Sequence, residues 1–254
     1  MSLESKNPLP PLKDWIHQIS FLTSAARSSD LPHIGAGEIA IAGRSNAGKS
    51  SALNFLCNRR RLAFSSKTPG RTQLINLFTL AWQGEELGRL VDLPGYGYAA
   101  VDHATKARWQ AELAKFLELR QSLVALILVM DIRHPFGPLD CKMLEWFGRR
   151  QQPIHILLTK ADKFGKNDQA RAAATARSMI QKHAAEWGGQ ISFSLFSATA
   201  KIGRDEVLEK IAQWWQLPEP RSPLASSVSL SGHPADDKKK PGEGLAGSRT
   251  PKIG

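Results

Sequence analysis

Gly43-Arg44-Ser45-Asn46-Ala47-Gly48-Lys49-Ser50, with Ser51 behind it, follows the apolar run Glu38–Ala42 and opens the helical pattern Ala47–Asn58. The pattern GxxxxGK[ST] in that setting is a loop that cradles phosphate. Its glycines let backbone N–H groups curl around phosphate oxygens at the positive end of a helix dipole. Lys49 is expected to reach the β- and γ-phosphates, and the Ser50 hydroxyl to ligate Mg²⁺. A pattern of eight residues can arise by chance, but the strand and helix around it lower that risk. The strand before it and the helix after it are the context the chemistry needs.

Outward from that loop, short apolar runs alternate with longer helical patterns. The runs are Glu38–Ala42, Leu74–Trp82, Leu87–Val91, Leu123–Met130, Ile154–Leu158 and Ile191–Phe196. Ala47–Asn58, Thr105–Arg120, Pro138–Arg150, Gln169–Trp187 and Arg204–Trp215 read as helices. Such alternation implies βαβ units, hence a three-layer α/β fold with a mainly parallel sheet and helices on both faces. Leu74–Trp82 and Leu87–Val91, joined through Gln83-Gly84-Glu85-Glu86, read instead as a hairpin that adds one antiparallel edge strand. Trp15–Ala26 has the apolar content to pack as a short element, behind a loose leader over 1–14. After Leu217 the composition turns to Pro, Gly, Ser and Ala with Lys238-Lys239-Lys240 and no apolar period. The tail 218–254 is therefore expected to be disordered.

The 254 residues hold 42% apolar side chains, an ordinary share for a buried core. Net charge is +11, which favours a polyanion such as nucleic acid over a basic partner. Two distant cysteines, Cys57 and Cys141, read as reduced thiols and not as a disulfide or metal framework. With no signal-like apolar leader and no run long enough to span a bilayer, the chain reads as cytoplasmic and off the membrane. The tryptophans Trp109, Trp146, Trp187, Trp214 and Trp215 fall within helical patterns and read as packing.

A phosphate loop alone does not choose the base. Thr159-Lys160-Ala161-Asp162 ends the run Ile154–Leu158 and resembles the [NT]KxD motif of GTPases. Guanine offers N1–H and a 2-amino group, which one carboxylate accepts together; adenine offers neither there. Asp162 would make that paired contact, with the Lys160 stem along the purine face. Asp92-Leu93-Pro94-Gly95 follows the strand Leu87–Val91 and resembles DxxG: Asp92 would hold Mg²⁺ through a water and the Gly95 N–H would meet the γ-phosphate. Between them, Ser65–Gln73 has the small, polar make-up of a loop that orders around phosphate and metal.

Together, GRSNAGKSS, KTPGRTQLIN, DLPGYGYA, MDIRHP and LLTKADK, in that order from about Phe21 to Trp215, resemble the EngB (YihA/YsxC) family. That family belongs to the TrmE–Era–EngA–EngB group of bacterial GTPases. The resemblance implies a G domain over 15–217, with its core in 37–216, that binds GTP and GDP and hydrolyses GTP with catalysis centred on Lys49, Thr72 and Gly95. It implies a nucleotide-binding loop over Gly70, Arg71, Thr72, Gln73 and Leu74, with Thr72 as the metal ligand and Thr68 as the other candidate. It also implies that Phe196, Ser197 and Ala198 contact the guanine oxygen. The family acts in assembly of the large (50S) ribosomal subunit, with an effect on cell division, so precursor particles and ribosomal RNA are the implied partners of a monomer. Arg59, Arg60, Arg61, Lys67 and Arg71 flank the mobile loop as RNA candidates, followed by Arg133, His134, Arg149 and Arg150. Two readings of Asn46 stay open: K⁺ binding, as in similar GTPases, or local backbone contacts. Turnover in K⁺ against Na⁺ separates them. Tyr96 stands where Ras-like proteins carry a water-positioning Gln, so unaided hydrolysis is expected to be slow.

Two other classes compete. A division-machinery switch with a protein partner would bind no ribosomal particle. A small-molecule kinase would need an acceptor-binding insertion, and none is evident.

Overall fold

Two strands, β2 (Glu38–Gly43) and β6 (Ile154–Thr159), are buried at every position, as strands covered on both faces must be. They belong to a seven-stranded sheet in a computed structural model that describes residues 9–32, 35–63, 74–97 and 103–218. The others are β1 (Ser20–Ala25), β3 (Ile75–Trp82), β4 (Glu85–Asp92), β5 (Leu123–Asp131) and β7 (Ile191–Leu195). Their order is β1-β3-β4-β2-β5-β6-β7. Pairing is parallel from β4 through β7, and only β3 runs against its neighbours. The α/β fold expected from the sequence is the fold observed.

Successive residues of a strand face opposite sides, and the core divides accordingly. Ala40, Ala42, Leu126, Leu128, Ile156 and Leu158 meet α3 (His103–Leu119), α4 (Pro138–Gly148), α5 (Lys166–Lys182) and α6 (Ala184–Trp187) through Phe116, Phe147, Ala176 and Trp187. Ile39, Ile41, Ala125, Ile127 and Leu157 meet α1 (Leu12–Trp15), α2 (Lys49–Leu56) and α7 (Arg204–Trp214). Trp187 and Trp215 are buried and Trp146 and Trp214 partly so, in keeping with packing roles. Cys57 is a core residue whose thiol burial pushes up to about 12.

The structure differs from the sequence reading in four places, the first being that the helix read over Gln169–Trp187 is two, α5 and α6, parted at His183. The hairpin turn is only Gln83-Gly84, both with positive φ (52° and 88°), so β4 begins at Glu85. That is the two-residue turn whose twist matches the strands. β1 lies outside β3 and takes the edge position assigned above to a hairpin strand. Its first three residues are exposed and its register shifts between Phe21 and Thr23, so its sequence carries no clean alternation. The loose leader over 1–14 does not hold from residue 9 onward. Leu9, Leu12, Trp15, Ile16 and Ile19 are all buried, and the Trp15 ring packs 4.9 Å from that of Trp82. The leader's prolines obscured two anchoring leucines. The tail beyond 218 lies outside the described residues.

At the end of β2 away from the phosphate loop sits a buried group of charges. Glu38, fully buried, accepts from Arg120 Nε at 2.8 Å and Nη2 at 2.6 Å. Arg89 lies 3.7 Å from Glu38 and binds Glu86 at 2.6 and 2.8 Å. Gly35 passes so close that a Cβ there would sit 2.1 Å from the Arg89 guanidinium.

His155, also buried, places its ring nitrogens 2.8 Å from Ser192 Oγ and 2.9 Å from Ser194 Oγ. Burial, with Lys210 nearby, pushes its pKa down to about 3. The ordinary value is 6.5. Between these values the unfolded chain binds a proton that the native protein refuses, so stability is lost as pH falls below 6.5. We expect His155 to account for roughly 2 kcal/mol of destabilisation between pH 7 and pH 5. Urea midpoints across that range should fall less steeply for His155→Asn; equal slopes would refute the assignment.

Candidate functional site

The loops that carry the sequence motifs leave the C-terminal ends of β2, β4, β6 and β7, on one rim of the sheet. Open α/β sheets bind ligands at such a rim. Gly43 ends β2 so close to β5 that a Cβ would stand 2.8 Å from the Val129 carbonyl oxygen. Gly48, with φ of +96°, turns the chain into α2, a backbone conformation that other residues adopt only under strain. Asn46 is left-handed too, at φ 64°, which asparagine tolerates and which gives a local reason for its presence. Its side chain is exposed, as are those of Arg44 and Ser51, while Lys49 and Ser50 are half-buried at the start of the helix.

The base-reading loop is braced against the phosphate loop. Thr159 Oγ1 lies 3.0 Å from the Met130 carbonyl and also contacts the Ala47 carbonyl. Lys160, at φ 59°, reaches across so that Nζ donates to the Asn46 carbonyl at 2.7 Å and pairs with Asp131 at 2.9 Å. Ala161 N–H donates to the Phe196 carbonyl at 3.1 Å. Ser197 Oγ accepts from Ala200 N–H at 3.0 Å, which turns its hydroxyl proton toward Asp162 Oδ1, 2.6 Å away. That hydrogen bond holds the Asp162 carboxyl below the usual carboxylate range, so the acceptor pair is ionised at neutral pH. Ala198 is partly buried beside it. For Asp131, burial works upward, but hydrogen bonds from Arg133 and Lys160 prevail and hold it well below the ordinary range.

On the other flank, Asp92 ends β4. One of its oxygens forms an ion pair with Lys49, and the other accepts from Asn76 Nδ2 at 3.4 Å. Leu93 and Pro94 are buried and carry the chain back to the phosphate loop. A Cβ at Gly95 would lie 3.6 Å from Ser45 Cα. Ser45 N–H donates to the Tyr96 carbonyl at 2.7 Å, and Tyr96 N–H to that of Gly43 at 3.2 Å. Tyr96 itself turns inward. It is buried, and its hydroxyl donates to Asp140 Oδ1 at 2.7 Å. Burial and then the Asp140 carboxylate push that hydroxyl well above its ordinary pKa. Burial also raises the Asp140 carboxyl, against donors from Tyr96 and from Gly137 N–H at the start of α4.

Thus Gly43–Ser50, Asp92–Gly95, Thr159–Asp162 and Phe196–Ala198 come together. Leu74 is described and exposed; Gly70, Arg71, Thr72 and Gln73, with Thr68 and Lys67, lie outside the described residues. Ser50 and Asp92 offer hard oxygen donors, and Asp92 already holds a cation, Lys49. Among the described residues no cluster of three or more His, Cys, Asp or Glu could hold a metal unaided. That donor set fits a Mg²⁺ whose other ligands are phosphate oxygens and water. Asp131, Asp140 and Asn76 were not singled out from the sequence. The signal for Asp131 was its place within MDIRHP at the end of a parallel strand. A groove of about 740 Å³ beside β7, lined by Arg177, Gln181 and Phe193, contains none of the motif residues. Loop geometry, and not cavity size, locates the site.

The basic candidates separate. Arg59, Arg60 and Arg61 are exposed beyond α2, with Arg59 also donating to the His17 carbonyl at 3.2 Å. Arg133 and Arg149 are engaged by Asp131 and Glu118, and Arg150 is tied to the Glu118 and Leu123 carbonyls. His134 is exposed. No helix among the described residues is long and apolar enough to cross a membrane.

Comparison with known proteins identifies the family. Residues 38–160 match a family described as 50S ribosome-binding GTPases. A GTP-binding protein EngB of Ralstonia nicotianae is 45% identical over 229 residues, covering 89% of this chain and 98% of that relative. The EngB of Aromatoleum aromaticum is 51% identical over 216 residues, 84% of this chain and 96% of its own. Among solved structures, a GTP-binding protein EngB superposes with a TM-score of 0.50 at 21% identity, over 71% of this chain and 99% of that one. Era in complex with MgGDPNP and nucleotides 1506–1542 of 16S ribosomal RNA superposes at 0.54 and 22% identity, over 76% and 61%. These last two likenesses speak for the fold alone.

Proposed function

This chain belongs to the EngB family of P-loop GTPases, and from that premise we propose that it is a nucleotide-dependent switch in assembly of the large (50S) ribosomal subunit. The match of residues 38–160 to a family described as 50S ribosome-binding GTPases carries the reading. In it, the GTP form binds the immature particle and its RNA, and hydrolysis releases it; normal division and septation depend on that cycle. The protein acts as a monomer in the cytoplasm.

The residues divide the work. Asp162 reads guanine through its paired acceptors, with Ser197 holding one of them in place. Lys160 braces the purine-facing loop against the phosphate loop. Backbone N–H groups of 43–50 and the Lys49 ammonium bind the phosphates, with Gly95 and, from the loop beyond, Thr72 at the γ-phosphate. Ser50, Thr72 and, through water, Asp92 would hold Mg²⁺, which neutralises charge on the β- and γ-phosphates when bound. The proposal includes K⁺ at Asn46, whose exposed side chain stands at the lip of the loop. Hydrolysis is slow because Tyr96, buried on Asp140, is turned away from the place where a Gln would orient water. Arg59, Arg60 and Arg61, exposed next to the loop that should follow nucleotide state, are the leading RNA contacts.

The test is sedimentation of mature and precursor 50S particles with the protein loaded with GDP or a non-hydrolysable GTP analogue. We expect co-sedimentation with the analogue alone, weakened by salt as phosphate contacts require. Absence from the pellet in both states would end the ribosome role while leaving GTP binding intact. A protein partner in the division machinery would then become the leading reading.

A further inference from the structure

We propose that Asn76 is a positioning residue for Asp92, and that a hydrogen-bonded row Ser24–Asn76–Asp92 across three strands decides which oxygen of Asp92 faces the metal and phosphates. The proposal rests on the reading that a Mg²⁺-nucleotide binds at this phosphate loop.

The register puts the three residues in line. Ser24 on β1 pairs directly with Asn76 on β3, and Asn76 directly with Asp92 on β4. Directly opposed residues of neighbouring strands point to the same face, so their side chains meet laterally. The polarity of the row follows from chemistry. An ionised carboxylate only accepts, so Asn76 can approach Asp92 solely through its NH₂ group, which lies 3.4 Å from Oδ2. The amide oxygen must then face the other way, and there Ser24 Oγ donates to it at 2.7 Å. A hydroxyl can serve either as donor or as acceptor; here the amide oxygen fixes it as donor, and that bond holds the amide in place beside Asp92.

The consequence falls on Asp92. Oδ2 is tied sideways to Asn76, and Oδ1 is the oxygen that faces the ammonium of Lys49. Without Asn76 the carboxylate is released to turn about its Cβ–Cγ bond and to close on Lys49 with either oxygen. It would then be aimed less well at a metal's water shell. The β3–β4 backbone ladder and the buried Leu77, Phe78 and Val91 hold the hairpin together without this amide. The row also gives β1, the edge strand that the motifs do not include, a direct line to the phosphate site.

The experiment is titration of the purified full-length protein with a fluorescent GDP analogue, once in Mg²⁺ and once in EDTA. Wild type, Asn76→Ala and Ser24→Ala are compared, with thermal unfolding of each as a folding check. For Asn76→Ala we expect affinity in Mg²⁺ to fall about tenfold, the order of one lost hydrogen bond to a charged group, with affinity in EDTA unchanged to within about twofold. Ser24→Ala should fall in the same direction by about two- to threefold, because the amide remains but loses the hydrogen bond that holds it in place. An equal loss in Mg²⁺ and EDTA, or none in either, would overturn the proposal; if Asn76→Ala does not fold, Ser24→Ala decides by the same comparison. A wild type whose affinity ignores Mg²⁺ would instead overturn the underlying reading of the site.

Discussion

Asp162→Asn is expected to lose GTP affinity by a factor on the order of 10⁴, while gaining affinity for the xanthine nucleotide. The wild-type side chain presents two acceptors, and guanine presents two donors, N1–H and the 2-amino group. Asparagine keeps one acceptor and turns the other into a donor, so one contact becomes N–H against N–H in a site that water no longer fills. An unpaired buried polar group costs about 1–3 kcal/mol on each side that loses its partner. Xanthine replaces the 2-amino group by a carbonyl, which accepts what asparagine now donates. The Ser197 hydroxyl, 2.6 Å away and fixed by Ala200 N–H, keeps an oxygen at the same place in either variant. The substitution therefore changes chemistry and leaves geometry in place. Competition of GTP, XTP and ATP against a fluorescent guanine nucleotide measures it. Unchanged ranking of GTP over XTP would mean that Asp162 does not read the base.

The second large effect is on stability. Glu38→Ala is expected to cost about 3–5 kcal/mol, because it leaves the buried Arg120 guanidinium without its carboxylate. Arg120 and Arg89 converge on the one carboxylate, which is fully buried, and neither arginine can neutralise itself by losing a proton. For a domain of this size the loss corresponds to a fall in Tm of roughly 10 °C. Glu38→Gln, which keeps an acceptor oxygen and the side-chain shape, should lose clearly less. Urea unfolding of both variants decides it, and an alanine variant within about 1 kcal/mol of wild type would show that Glu86 alone balances the pair.

What could be read in the sequence was local. The phosphate loop, Asp92–Gly95 and Thr159–Asp162 are each contiguous and each stand at a strand end, so pattern and context coincide. The fully buried strands β2 and β6 announce themselves as unbroken apolar runs, and the helices of both layers follow within a few residues. Pairings set by register were not legible. Asn76 meets Asp92 only because β3 and β4 align them, and Arg120 finds Glu38 from 82 positions away. β1 escaped because its exposed Phe21 and Leu22 stand side by side, without the alternation that marks a half-buried strand. The leader was misread for the opposite reason: proline and charge dominate its composition, and two leucines do the packing.

The inward turn of Tyr96 also decides where the chain beyond Asp92 is able to bend. Its side chain is anchored on α4 through Asp140, and its backbone is laced on both sides to Gly43 and Ser45. The strip from Asp92 to Tyr96 therefore behaves as part of the rigid frame. Gly97, with φ of +83° and, among the described residues, only Leu139 in van der Waals reach of an added Cβ, is the first joint after it. The phenol–carboxylate bond thus ties the end of the DxxG strip to the start of α4, so that strip and helix move as one body.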